Sequence, residues 1–246
     1  MFFAPKDAYS PCGVYTAGHF VSMLICFALL VLLLILFRNT DLERLYFYIR
    51  RLAVILTVLE AVKIGHNFYY GYTNIDSWVP LSFCSLFIYA CYMSGYGSGK
   101  IREAGDAFFV VGGIVAGIVF ISMPTTSLTM YPLFHFQSVY SMIFHTLMVA
   151  VGILMLRCGK KPTVRLFCRY AAYFLSFAAL ALSINLVFRS NLMTFREPYK
   201  LPFEFLHILQ GASQTSYTAL AVLAHLILPY TVACIVNRLC PKRAQE

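Results

Sequence analysis

Seven runs of apolar residues dominate the chain, roughly 16–37, 46–66, 80–97, 107–123, 134–156, 164–188 and 213–236. An α-helix needs about 20 residues to cross roughly 30 Å of hydrocarbon, and most of the runs reach that length. They are continuous rather than alternating, which predicts helices and excludes a transmembrane barrel. Charge is too scarce for a chain folded in water. Only 12% of the 246 residues are charged, whereas 60% are hydrophobic; soluble domains carry about 25% charged residues. An ordinary cytosolic enzyme, a disordered chain and a nucleic-acid-binding domain are thereby excluded. The expected fold is all-α: one polytopic transmembrane domain over 1–246, a seven-helix bundle in the cell membrane.

The basic residues orient that bundle. With seven spans, Arg38, Arg44, Arg50, Arg51, Lys100, Arg102, Arg157, Lys160, Lys161, Arg165, Arg169, Arg238, Lys242 and Arg243 collect at one end. The other end holds Lys6, Arg189, Arg196 and Lys200, while Lys63 lies inside a span. Positive charge marks the cytoplasmic side, so the N-terminus is expected outside and the C-terminus in the cytoplasm. The net charge of +9 then reflects loops beside anionic headgroups, with no nucleic-acid partner. The run from Phe20 to Phe37 reads as a first transmembrane helix and not as a cleaved signal, because no small-residue cleavage site follows it.

Of the eight cysteines most fall in the apolar runs or near their ends, and none forms a CxxC pair. They read as small hydrophobes, and no spacing suits a metal, so neither metal nor cofactor is expected. Gly113 and Gly117 form a GxxxG in the fourth run, which lets two helix backbones approach closely. That serves packing within the bundle or a homodimer. Residues 189–211 are apolar in part, and are expected to lie in the interface or to dip back as a lid.

Ionisable and amide side chains inside spans are costly and therefore mark function. Glu60, Lys63 and Asn67 share one face of the second helix, and Gln137, Ser141 and His145 form a stripe on the fifth. Ser82 and Cys84 open the third span after Pro80, while Asn185, Arg189 and Asn191 cluster at the end of the sixth. Helix rise places all of them in the outer half or near the midplane. This predicts one polar cavity open to the outer leaflet. By the same rise, Cys84 lies roughly 10 Å nearer the outside than His145.

Several of these residues carry a family resemblance. Glu60, then Val79-Pro80-Leu81-Ser82-Phe83-Cys84, then Phe136-Gln137 with His145, then Asn185, Asn191-Leu192-Met193 and Glu197-Pro198 resemble in order the motifs of the bacterial YwaF family. That family is distantly similar to the eukaryotic transmembrane protein 164 family. The resemblance implies transfer of fatty acyl chains onto lysophospholipids through a Cys and a His. His145 matches the His. The Cys of that family directly follows the helix-three Pro, where this chain has Leu81, and Cys84 lies three residues on.

As an enzyme, the chain would act on membrane lipids as an acyltransferase or hydrolase. His145 would be the base, Cys84 the nucleophile with Ser82 as substitute, and Glu60 the residue that orients the imidazole. Lys63, Asn67, Gln137, Ser141, Asn185, Arg189 and Asn191 would bind substrate. An ion-coupled or small-solute carrier using Glu60, Lys63 and His145 is the alternative, and a heptahelical receptor is the third. No internal repeat supports the carrier, and no signalling motif supports the receptor.

Overall fold

The apolar runs become helices in a computed structural model that describes residues 1–199, 201 and 203–239. Lys200, Pro202, Cys240, Lys242 and Arg243 lie outside the described residues. The described residues form α1 (Ala17–Leu36), α2 (Leu42–Tyr69), α3 (Ile75–Trp78), α4 (Leu86–Tyr96), α5 (Gly99–Phe108), α6 (Ile114–Ser122), α7 (Phe136–Arg157), α8 (Val164–Phe188), α9 (Glu204–Ala212) and α10 (Gln214–Leu239), with no strand among them. Side chains cap the free N–H groups of several first turns, as Ser, Thr, Asp and Asn do at helix starts. Thr16 accepts from His19 N, Asp41 from Arg44 N and Thr163 from Leu166 N. Among the described residues, five helical stretches are long and apolar enough to cross a membrane: Ala17–Leu36, Gly99–Ser122, Phe136–Arg157, Val164–Phe188 and Gln214–Leu239.

Two expected spans are redrawn. The third, expected from residue 80, is helical only from Leu86. Pro80 has no N–H to donate, and Ser82 Oγ accepts the Ser85 N–H at 3.3 Å, so residues 82–85 turn instead of joining the helix. The fourth, expected from 107, already begins at Gly99. One π turn, Phe109–Gly113, joins α5 to α6 within it. The charges of Lys100, Arg102, Glu103 and Asp106 concealed that first half from a hydropathy reading.

The core lies where α4, α5, α7 and α8 meet. Phe87, Phe108, Phe109, Tyr170 and Phe174 are fully buried there. The face of α6 that carries Gly117 packs on α7 of the same chain. A Cβ at Gly117 would fall 2.6 Å from His145 O and 2.4 Å from Val149 Cγ2, so glycine sets the approach of the two helices. Gly113 is buried on the same side, with Met148 O near it. Pro229 sits inside α10 and cannot bond the carbonyl four residues back. That carbonyl is His225 O, and it instead accepts a hydrogen bond from the buried Tyr170 hydroxyl. A helix defect is thus repaired by its neighbour, as membrane helices require.

At the basic end, Asp106 is fully buried and fully engaged. Its carboxylate accepts from Tyr46 Oη at 2.8 Å and Ser94 Oγ at 2.6 Å, and pairs with Lys160 Nζ at 2.7 Å. These partners come from α2, α4 and the α7–α8 connection. Burial works against the Lys160 charge, but the hydrogen bond and charge of Asp106 outweigh it and hold the ammonium above its ordinary range. Glu103, one turn earlier, holds Arg165 and Arg169 of α8 at 2.7 and 2.8 Å.

At the opposite end, the N-terminal segment folds back over the bundle. Phe2 O accepts from Phe136 N, Phe3 O from Tyr70 Oη, and Ala4 O lies 2.9 Å from His135 Nε2 and 3.2 Å from His66 Nε2. Gln137 N donates to His135 Nδ1, so the neutral His135 carries its proton on Nε2 and donates to Ala4. Burial pushes His135 below its ordinary value; the Ala4 bond opposes that shift and His66 adds to it.

Asp106→Asn leaves Lys160 without its counter-ion. Loss of one partner of a buried pair costs about 3–5 kcal/mol, less where the other can turn toward water, as the partly exposed Lys160 can. A loss of about 2–3 kcal/mol is therefore expected, read as a lower thermal midpoint of the purified protein. The N-terminal cover should loosen in acid. Its stability is complete above about 6.5, the ordinary histidine value, and falls with pH as the released His135 takes a proton that the docked form resists. Hydrogen exchange of residues 2–13 should rise at pH 5.5 relative to pH 7.5, after correction for intrinsic rates. A His135→Asn variant should lose most of that difference.

Candidate functional site

The most informative side chain is His145, on the face of α7 that α6 covers. Its Nδ1 lies 2.6 Å from Ser141 O, a distance that requires Nδ1 to donate. In the neutral imidazole the lone pair is therefore on Nε2. That atom is buried and finds no hydrogen-bond partner among the described residues. Phe120 stacks on the ring at 3.6 Å between centroids and 6° between planes, and Phe144 meets it edge-on at 5.3 Å. The ring is held, its tautomer is fixed by the preceding turn, and its basic nitrogen is uncommitted.

Glu60 and Lys63 pair on α2, with Glu60 buried and the Lys63 side chain 24% exposed. Tyr140 of α7 donates to Glu60 Oε2 at 3.0 Å, which locks α2 to α7. Glu60 makes no bond to His145, so Ser141 O, and not Glu60, orients the imidazole. Cys84 sits in the turn before α4, packed against the core. No hydrogen bond joins its sulfur to His145. Ser82 is exposed, and its hydroxyl is shared with Ser85 Oγ at 2.8 Å.

The amides do a different task. Asn67 Nδ2 donates to Ser77 O at 2.5 Å, and Asn67 Oδ1 accepts from Gln137 Nε2 at 3.2 Å; Gln137 also reaches His66 Nδ1. These residues close the N-terminal end beside the Phe2–Ala4 segment. Asn185 is buried and accepts from Ser190 Oγ and Leu192 N while donating to Leu192 O. Asn191 Oδ1 accepts from Arg196 N and Glu197 N, and its own N–H donates to Asp76. Arg189 ends α8 in the left-handed region, with φ 54°, and its carbonyl accepts from the Arg196 guanidinium. Asn185 and Asn191 thus fold the 189–197 loop on itself, and Arg189 is exposed at its edge.

Sequence reasoning passed over Tyr140, His66, His135 and Asp106. Tyr140 and His66 were legible as polar residues one helical turn from Gln137 and Lys63, whereas His135 caps α7 from outside the helix and shares no repeat with the stripe. Asp106 was hidden because its helix was expected to begin one residue later. Among the described residues no group of three or more His, Cys, Asp or Glu converges as a metal site.

The sequence profile of the TMEM164 family matches residues 14–232. Neither the curated proteins nor the solved structures yield a match. The matched region covers α1 to α8, the 189–213 connection and most of α10, and so contains His145, Glu60, Lys63 and Cys84 within one frame. A profile that runs through nearly the whole bundle settles its kinship: this membrane protein of apolar helices belongs to the TMEM164 family.

Proposed function

We propose that the protein is a lipid-modifying enzyme of the cell membrane, an acyltransferase or hydrolase of phospholipid acyl esters, with His145 as its general base. The observation that carries the reading is the buried Nε2 of His145, which has no partner among the described residues while Nδ1 is held by Ser141 O. A base must offer a free lone pair in a fixed direction within reach of a hydroxyl. In the proposed step, the oxygen of a lysophospholipid hydroxyl, or of water, attacks the acyl carbonyl carbon. Nε2 takes the hydroxyl proton as the new C–O bond forms. The old ester C–O bond then breaks, and the imidazolium returns the proton to the departing alkoxide. A lipid hydroxyl gives acyl transfer; water gives hydrolysis. In this scheme the Lys63 ammonium, held on α2 beside Glu60, would offset the negative charge on the carbonyl oxygen. Cys84 would carry an acyl thioester in the scheme that the resemblance to the transmembrane protein 164 family implies. Its lack of a bond to His145 favours the direct route.

The same reading takes the bundle to cross seven times, through α1, α2, α4, the α5–α6 helix, α7, α8 and α10. The N-terminus is then outside and the basic end in the cytoplasm. An odd number gathers the basic connections on one face. At 11 residues, α4 rises only about 16 Å. The turn at 82–85, which runs from the exposed Ser82 to the buried Ser85, extends that crossing; non-helical backbone is tolerated in a membrane where protein covers it.

His145→Ala, reconstituted in vesicles with an acyl-labelled phospholipid and a lysophospholipid, should lose about 100-fold or more of labelled product by mass spectrometry. Its elution on size exclusion should stay unchanged. Cys84→Ala should cost less than about tenfold, and Ser82→Ala less still. Full activity in His145→Ala would end the enzyme reading. Topology is checked by variants that keep one cysteine. Cys12 should react with an impermeant maleimide on intact cells and Cys240 only after permeabilisation.

A further inference from the structure

The basic end carries a second polar feature, far along α2 from Glu60. A cleft of 640 Å³ opens between α2 and α4, lined by Phe47, Arg50, Arg51, Val54, Ile55 and Tyr96. Most other helical arginines at this end already have partners in the chain. Arg44 pairs with Asp41, Arg165 and Arg169 with Glu103, Arg157 donates to Leu34 O, and Arg102 lies over the Tyr46 ring. Arg50 and Arg51 pair with no carboxylate among the described residues, and no lining residue of the cleft is acidic. The stem of Arg50 is held, because α4 comes so close that a Cβ on Gly95 would fall 2.8 Å from Arg50 Cγ. The Arg51 guanidinium lies 5.1 Å from the centre of the Phe47 ring.

We propose that this cleft binds the headgroup of an anionic phospholipid, with Arg50 and Arg51 holding its phosphate and the acyl chains running along Val54 and Ile55. Geometry supplies the class of ligand. Val54 and Ile55 stand one turn beyond the two arginines on the same face, and both are about half exposed, at 49% and 55%. Helical side chains lean toward the helix N-terminus, so the guanidiniums lean to the basic end while the apolar pair stays at hydrocarbon depth. A free phosphate would use the arginines and leave that apolar wall idle. A zwitterionic lipid would bring an ammonium to a cleft with two cations and no acid. Basic clefts between helices at the cytoplasmic side suit anionic headgroups for this reason. The site is separate from His145 and does not depend on its chemistry.

The test uses the full chain in detergent, with native mass spectrometry and thermal midpoints during titration with phosphatidylglycerol, phosphatidylcholine or glycerol 3-phosphate. Wild type should retain phosphatidylglycerol about tenfold better than phosphatidylcholine, and glycerol 3-phosphate should not displace it at equal concentration. At about 1 kcal/mol for each arginine near anionic lipid, Arg51→Gln should weaken retention about fivefold. Arg50→Gln/Arg51→Gln should abolish the preference. Because the Arg50 stem packs against Gly95, Arg50→Lys with Arg51→Gln serves as a second variant that keeps that packing. Equal retention of both lipids by wild type overturns the proposal. So does an unchanged preference in the arginine variants, and displacement by glycerol 3-phosphate would make it a free-anion site instead.

Discussion

A carboxylate inside a bundle of apolar helices survives only when a cation and hydrogen-bond donors share its charge, because desolvation alone costs several kcal/mol. Two carboxylates here meet that demand in the same way. Asp106 has Tyr46, Ser94 and Lys160; Glu60 has Tyr140 and Lys63. One lies at the basic end and one toward the other, and α2 supplies a member to each. Helix α2 carries too many charges to stand among the clearly apolar spans, yet its polar side chains tie it to its neighbours: Glu60 to Tyr140 of α7, Tyr46 to Asp106 of α5 and Thr57 to Tyr92 of α4. Lipid offers little driving force to bring apolar helices together, so buried polar ties and close glycine contacts specify the arrangement.

The fold was largely legible because hydrocarbon imposes one rule on every residue of a span. The apolar runs gave the helices to within a few residues, except where charge and backbone chemistry intervene. At α5 the run looks polar because Glu103 and Asp106 are neutralised by Arg165, Arg169 and Lys160, more than fifty residues away in the chain. Pairing at that distance leaves no local pattern. At 80–85 the break comes from Pro80 and the Ser82 side chain, a local signal that a hydropathy average smooths over. The return of Phe2–Ala4 over the bundle had no periodicity to announce it.

The polar residues were less legible in their tasks than in their positions. Hydropathy marks a buried amide as costly, but not whether a ligand or the backbone satisfies it. Asn185 and Asn191 serve the backbone of the 189–197 loop, where a left-handed Arg189 and several free N–H groups need partners. Those loop amides require Asx side chains whatever the ligand, so their spacing alone could not separate the two tasks. His145 differs, since its bond to Ser141 O uses one ring nitrogen and leaves the other.

An unpartnered buried acceptor costs about 1–3 kcal/mol, and a ring free to turn would relieve that cost. His145 cannot turn freely, because Phe120 stacks flat on it and Gly117 brings the α6 backbone against the carbonyl of the same residue. The helix–helix packing that fixes the bundle therefore also fixes the imidazole with its buried lone pair held in one direction. Exchanging the ring nitrogens would break the Ser141 bond, and swinging the side chain out would break the stack. What can satisfy Nε2 without either loss is a hydroxyl from outside the chain, either water or a lipid. The GxxxG face thus does more than join two helices: by pressing α6 onto α7 at His145, it makes an outside donor the least costly partner for the base.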